Sequence, residues 1–148
     1  MAGRKSVWEQ IRSNAVALIS LTVALVGLAY NTWRNEKTEA NRNVREAAFL
    51  LMEEIVEFQS VVLFTRFADG GDEEATEGDY RRGWVHVIAI KDLSYNMPEE
   101  VQDATQQLSL EWENNVDSYA DDDESYEKLD GAIDNAKQEI LEAIMELD

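Results

Sequence analysis

Residues 15–30 read AVALISLTVALVGLAY, an unbroken apolar run with no charged side chain. Extending it to residues 14–33 gives a length close to the ~20 residues with which a helix crosses ~30 Å of hydrocarbon. The hydroxyls inside the run, Ser20 and Thr22, can bond back to the helix backbone. The pattern then changes. Residues 31–45, NTWRNEKTEANRNVR, are polar on every side and predict a helical stalk. From residue 47 an apolar face appears at Ala48, Leu51, Ile55, Phe58 and Val62, widened by Phe49, Leu50, Val61 and Phe64. These are 3.6-residue spacings, and no Gly or Pro interrupts residues 29–69, so one helix is expected from about Val7 to Phe67. Ser6 and Glu9 have the spacing of a capping box at its start.

The acidic, glycine-containing stretch DGGDEEATEGD, residues 69–79, ends that helix. A second helix is expected over residues 79–95, with Trp84, Val87, Ile88 and Lys91 on related faces. Its segment WVHVIAI has strand-like composition, but a lone strand has no partner elsewhere in the chain. Asn96-Met97-Pro98 breaks the chain, and Pro98 suits the first turn of a third helix with Glu99 and Glu100 at its positive end. That helix carries Val101, Ala104, Leu108, Trp112, Val116 and Tyr119 on one stripe. After a break at residues 121–124, capped by Asp123 or Ser125, a fourth helix aligns Tyr126, Leu129, Ile133, Ala136, Ile140, Ile144 and Leu147. The fold class is therefore all-α: an N-terminal transmembrane helix continuing into a small antiparallel bundle of about four helices. The organisation reads as a basic tail (1–13), a transmembrane helix (14–33), a polar stalk (34–46) and an acidic helical domain (47–148).

Charge sharpens this division. Residues 1–45 hold seven basic and three acidic side chains, net +4, and the remainder holds six basic and 28 acidic ones, net −22. The first part is attracted to anionic headgroups; the second is repelled by lipid phosphates and by nucleic acid alike. Nucleic-acid binding by the distal domain is thereby disfavoured, and the partners expected are the lipid bilayer and either a protein partner or further copies of the chain. Trp8, Arg12, Tyr30, Trp33 and Arg34 flank the apolar run as interface anchors. Competing readings of the run are a cleaved signal peptide, a buried core helix and an interfacial helix. The sequence YNTWR is a poor cleavage site, and the run has no polar face. Ser13, Ala17, Ser20, Ala24, Gly27 and Asn31 recur at steps of four and three, a small-residue stripe suited to pairing of membrane helices. Basic residues flank both ends, Arg4, Lys5 and Arg12 against Arg34, Lys37, Arg42 and Arg45. A basic N-terminal tail resists translocation, which tips the balance toward an N-terminus inside and a bundle outside.

Candidate chemistry is sparse. The chain has no cysteine, which excludes disulfides, thiolate metal sites and cysteine nucleophiles. His86 is the single histidine, so neither a two-histidine zinc site nor a di-iron E-x-x-H pair can form. It reads as an ordinary packed or half-exposed side chain. Glu53, Glu54 and Glu57 read as a solvated helix face, while the acidic runs 69–79 and 121–124 lack the glycine order of an EF-hand. No phosphate-binding loop or nucleophile elbow occurs, so no cofactor or catalytic residue is expected.

Residues 13–49, with the junction YNTWRNE and the stretch NRN, resemble the start of a group of small uncharacterised bacterial membrane-anchored proteins. The resemblance covers about a quarter of the chain. It implies a bacterial inner membrane and a helical distal part, and no activity. The function expected is a membrane-anchored, non-enzymatic interaction module, an accessory or scaffold subunit that self-associates or serves a larger assembly. The alternative is an anchored sensor whose bundle binds a small ligand or cation and signals through the first helix; a carboxylate hydrolase is a more distant third.

Overall fold

In a computed structural model, residues 7–67 and 77–147 are described. The Ser6 half of the capping box and most of the acidic stretch 69–79 lie outside them. With no breaker from Leu28 to Phe67, the backbone stays helical through apolar, polar and amphipathic sequence alike. Helix α1 covers Val7–Ser13 and α2 covers Ala15–Phe67, 53 residues. Only Asn14 separates them, and helical bonding continues across it, Asn14 N donating to Gln10 O (3.1 Å) and Leu18 N to Asn14 O (2.9 Å). Then follow α3 (Glu77–Ser94), α4 (Glu99–Asn115) and α5 (Asp123–Met145). The described residues contain helix and turn and no strand, so the β-branched segment in α3 is helical.

Packing divides the chain into two units, Met1–Ala40 and Asn41–Asp148. Asn41 and Val44 are already half-buried, so the second unit reaches back into the polar stretch assigned to the stalk.

In the second unit, α2 buries Ala48, Leu51, Ile55, Phe58 and Val62, the expected stripe. The residues expected to widen it behave differently: Phe49, Leu50 and Phe64 are exposed and only Val61 is half-buried. The five-residue stripe lies in the core, with Phe58 on Trp112, while Glu54 and Gln59 at its margins bond His86 and Lys137 and leave Phe49, Leu50 and Phe64 outside. Helix α3 packs on α4, and α4 on α5. Helix α4 buries Val101, Ala104, Thr105, Leu108, Trp112 and Asn115, and α5 buries Leu129, Ile133, Ala136, Ile140 and Ala143.

The aromatic centre of this unit is Trp112, fully buried. Phe58 meets it edge-on at 5.1 Å between ring centroids, Trp84 at 6.2 Å, and Tyr119 lies tilted at 5.5 Å. Such offset aromatic pairs add to the stabilisation from burial alone. Helix α3 is rotated from its expected face: Gly83, Val87, Ile90 and Ser94 are buried, Ile88 and Lys91 are exposed, and Trp84 keeps 37% of its surface. The cause is Gly83. A methyl group there would lie 2.3 Å from Trp112 Cζ2 and 2.4 Å from Cη2, so the missing side chain lets α3 lie flat on the indole.

Two helix starts also differ from expectation. Pro98 sits one residue before α4, in the extended conformation of an N-cap. Its side chain has no acceptor to cap the helix; Gln102 Nε2 donates to Met97 O (2.8 Å), tying the first turn to the preceding loop. The cap of α5 is Asp122, not Asp123 or Ser125: its carboxylate accepts from Ser125 N at 2.8 Å. The Ser125 hydroxyl instead bonds Ser118 Oγ (2.9 Å).

Two glycines separate packing from propensity. Gly83→Ala should destabilise the protein by about 1–3 kcal/mol, because the indole behind it is enclosed. Gly131→Ala, on an open face of α5, should stabilise it by about 0.5–1 kcal/mol. Urea unfolding in mild detergent, followed by circular dichroism, reads both; equal signs would refute the close approach.

Candidate functional site

The surface that most needs a partner lies in the first unit. Every large hydrophobic from Val16 to Trp33 is exposed, by 48–78%. An 18-residue window of α2 has a mean hydropathy of 1.8 and is wholly unburied, long and apolar enough to cross a membrane. Inside it the polar groups are internally satisfied: Ser20 Oγ donates to Val16 O (2.8 Å) and Thr22 Oγ1 to Leu18 O (2.9 Å). A hydroxyl folded back in this way presents little unpaired polarity to hydrocarbon.

Ala17, Ser20, Ala24, Gly27 and Asn31 fall on one side of α2 by their helical spacing, all exposed; the Ser13 side chain lies outside the described residues. Space beside Gly27 is open, with no atom within 4 Å of where a methyl group would sit. Among the flanking residues, Trp8, Arg12, Tyr30, Trp33 and Arg34 are exposed. Tyr30 and Trp33 form a tilted pair at 6.1 Å, at the opposite end of the run from Trp8 and Arg12.

The second unit holds its polar chemistry at its ends and edges. His86 Nδ1 lies 2.8 Å from Glu54 Oε2, joining α3 to α2, with both side chains partly exposed. Glu54 is thus a bonded partner and not part of a solvated face; Glu53 and Glu57 are exposed. Beyond Asp121, each carboxylate of the 121–124 run is engaged: Asp122 as the cap, Asp123 with the distant Arg66, and Glu124 with Lys128 (2.7 Å). Among the described residues, no group of three or more His, Asp or Glu side chains is placed to hold a metal ion. An open trough of about 430 Å³ between α4 and α5 is lined by Glu100, Asp103, Gln107, Asn135 and Glu139. A smaller depression of about 90 Å³ beside it adds Glu142 and Glu146.

No protein-family model, curated protein or solved structure matches this chain. Its function must therefore be argued from these surfaces.

Arg66 is the functional-looking residue that periodicity did not single out. Its Nη1 donates to Ala120 O (2.6 Å), its Nη2 bonds Asp123, and its guanidinium lies 5.6 Å from the Tyr126 ring. It is a clasp across the turn before α5, and its partners lie over fifty residues away, beyond the reach of local pattern. Arg45 plays a similar part at the other end, donating from Nη2 to Leu147 O (3.2 Å).

Among the described residues, three buried polar atoms have no hydrogen-bond partner: Thr65 Oγ1, Trp112 Nε1 and Tyr119 Oη. Burial raises the Tyr119 phenol above its usual value of 10; the nearby Thr65 hydroxyl pulls it the other way, without the alignment of a formed hydrogen bond. Asp122 is held below the usual carboxylate value by the Ser125 hydroxyl and amide. Lys128 is held above the usual lysine value chiefly by its bond to Glu124.

The orphaned phenol makes a pH prediction. A raised folded value means that the folded state keeps a proton the unfolded state releases near pH 10. This contribution is complete below about pH 10 and disappears as pH climbs through the folded value. Tyr119→Phe should therefore flatten the alkaline loss of stability, and at pH 7 cost less than about 1 kcal/mol because it removes an unpaired hydroxyl. Urea midpoints from pH 7 to 11 test this. Arg66→Ala should cost about 2–3 kcal/mol by leaving the Tyr119–Ala120 carbonyls without their donor, and Arg66→Lys should recover less than half. The same unfolding assay measures both.

Proposed function

We propose that this protein is a single-pass, membrane-anchored, non-enzymatic interaction module. In this reading, residues 14–33 cross a bacterial inner membrane. Residues from about 47 onward form an antiparallel helical bundle that serves as an accessory or scaffold domain for copies of itself or for a larger membrane assembly. One observation carries the reading: the apolar surface of residues 16–33 is covered by no other described part of the chain, and hydrocarbon suits such a surface where water does not. A core helix of a soluble domain would be largely buried, and this one is not. Leaving it in water would cost about 1.5–3 kcal/mol for each Leu, Val or Ile side chain.

The flanks support the same geometry. Exposed Tyr30 and Trp33 pair at the far end of the run, where amphipathic rings favour headgroups, and Arg34 follows immediately. The distal residues 46–148, with net charge −22, favour the aqueous phase over an anionic surface. The N-terminal flank, with Arg4, Lys5 and Arg12, supports a cytoplasmic N-terminus and a periplasmic bundle. An interaction role follows from the surfaces available: exposed apolar faces, an acidic trough, and polar groups tied up in holding the fold.

The anchor is tested by charge. The wild-type chain should remain in the membrane pellet after alkaline carbonate washing. The pair Leu21→Arg and Leu25→Arg, at about 2.5–3.5 kcal/mol each against insertion, should release it to the supernatant. Equal fractionation of the two would refute the span. A phosphatase fused after Asp148 should be active in the periplasm, and a fluorescent protein at the same point should be dark; the reverse pattern would invert the topology.

A further inference from the structure

Helix α2 has a second apolar row in the 41–67 region, on the side away from its buried stripe. Phe49 (61% exposed), Val56 (47%), Leu63 (38%), Phe64 (77%) and Phe67 (61%) lie there, against fully buried Ala48, Leu51, Ile55, Phe58 and Val62 on the opposite side. Of the three phenylalanines in the row, Phe67 is the one with a ring partner among the described residues, Tyr126 edge-on at 5.5 Å. Bundle membership explains one row and leaves the other unaccounted for.

We propose that this row is the contact through which two copies of the chain pair in parallel, α2 against α2. The proposal rests on the membrane-anchored reading for its orientation and adds the surface used. Three observations favour a second copy as the occupant. The first is spacing: Phe49, Val56 and Leu63 recur every seven residues, the interval at which parallel helices stay in contact. The second is symmetry: chains anchored in one bilayer share a direction, so a two-fold axis along α2 brings 49 to 49, 56 to 56 and 63 to 63, a closed isologous contact. The third is area: the five side chains expose about 500 Å² per copy, so a pair burying all of it covers about 1,000 Å², the size of a weak interface and the upper range of patches that monomers tolerate. Anchoring supplies the effective concentration that so small a contact needs.

Charge distinguishes this occupant from others. Glu46, Glu53 and Glu57 border or interrupt the row, and residues 46–148 carry −22. Two copies therefore repel at low ionic strength, and their pairing strengthens as salt shortens the ~10 Å screening length of 0.1 M solution. A basic partner helix on the same row would show the opposite trend, and an anionic lipid surface is disfavoured outright.

The absence of cysteine makes the test direct. Single variants Phe49→Cys, Val56→Cys and Leu63→Cys in the full chain are oxidised with copper-phenanthroline in whichever cell fraction holds the protein. Val85→Cys on α3 and Gln106→Cys on α4 serve as exposed controls. The row positions should form disulfide dimers about tenfold faster than the controls, faster at 500 than at 50 mM salt, and adding Phe64→Glu should reduce the Val56→Cys rate about tenfold. Equal rates at row and control positions, or indifference to Phe64→Glu, overturn the proposal. So does adduct formation with a different protein that weakens with salt. Gly27→Cys separates the two claims: dimers there without dimers in the row leave self-association in the bilayer standing and remove this surface. Recovery of the chain in the soluble fraction removes the anchor, while the cross-linking pattern still judges the row.

Discussion

A helix with ten large apolar side chains on every side but its narrow small-residue stripe, none of them covered by the described residues of the chain, dictates how this molecule can exist. Water penalises that surface in proportion to its area, and hydrocarbon does not. The internal bonds of Ser20 and Thr22 complete the adaptation, since they leave hydrocarbon little polar to exclude. Every functional reading depends on where this surface goes. Lipid converts the chain into a tether; another protein face would convert the same residues into an interface. The breadth of the apolar surface favours lipid, because a helix buried against one partner needs only one apolar side.

The second unit is organised around a different constraint, the accommodation of one large indole. Trp112 touches Phe58, Trp84 and Tyr119, and its flat face is reachable from α3 only because residue 83 lacks a side chain. Close packing of this kind fixes helix rotation: once Gly83 faces Trp112, Val87, Ile90 and Ser94 must follow it inward. The same rotation brings His86 to Glu54 and leaves Val85 and Ile88 in solvent. The aromatic cluster also leaves Trp112 Nε1 and Tyr119 Oη without partners among the described residues, a local cost beside the turn that Arg66 clasps.

Charge and apolar surface are sorted along the chain to compatible ends. Positive residues flank the apolar run, where anionic headgroups would meet them, and carboxylates crowd the distal unit. Those carboxylates near the start of α5 work as caps and ion-pair partners, an economy in which acidity supports the fold before it serves any ligand. The outer row of α2 stands apart from this sorting, since large aromatic side chains are seldom left in solvent without use.

The residue order alone determined the features that depend on short-range periodicity. The apolar run, the five buried positions of α2 and the stripes of α4 and α5 were legible because a helix of 3.6 residues per turn converts spacing directly into a face. The absence of cysteine and the isolation of His86 restricted the chemistry in the same direct way. Tertiary structure decided what spacing cannot express. The rotation of α3 followed from the space beside Trp112, and the capping of α5 by Asp122 from the extended backbone at that residue. The role of Arg66 came from partners more than fifty residues distant. Whether Phe49 and Phe64 widen a core or stand outside it was settled by which side of α2 the other helices cover. Periodicity records which residues share a side of a helix, and only packing records which sides are covered.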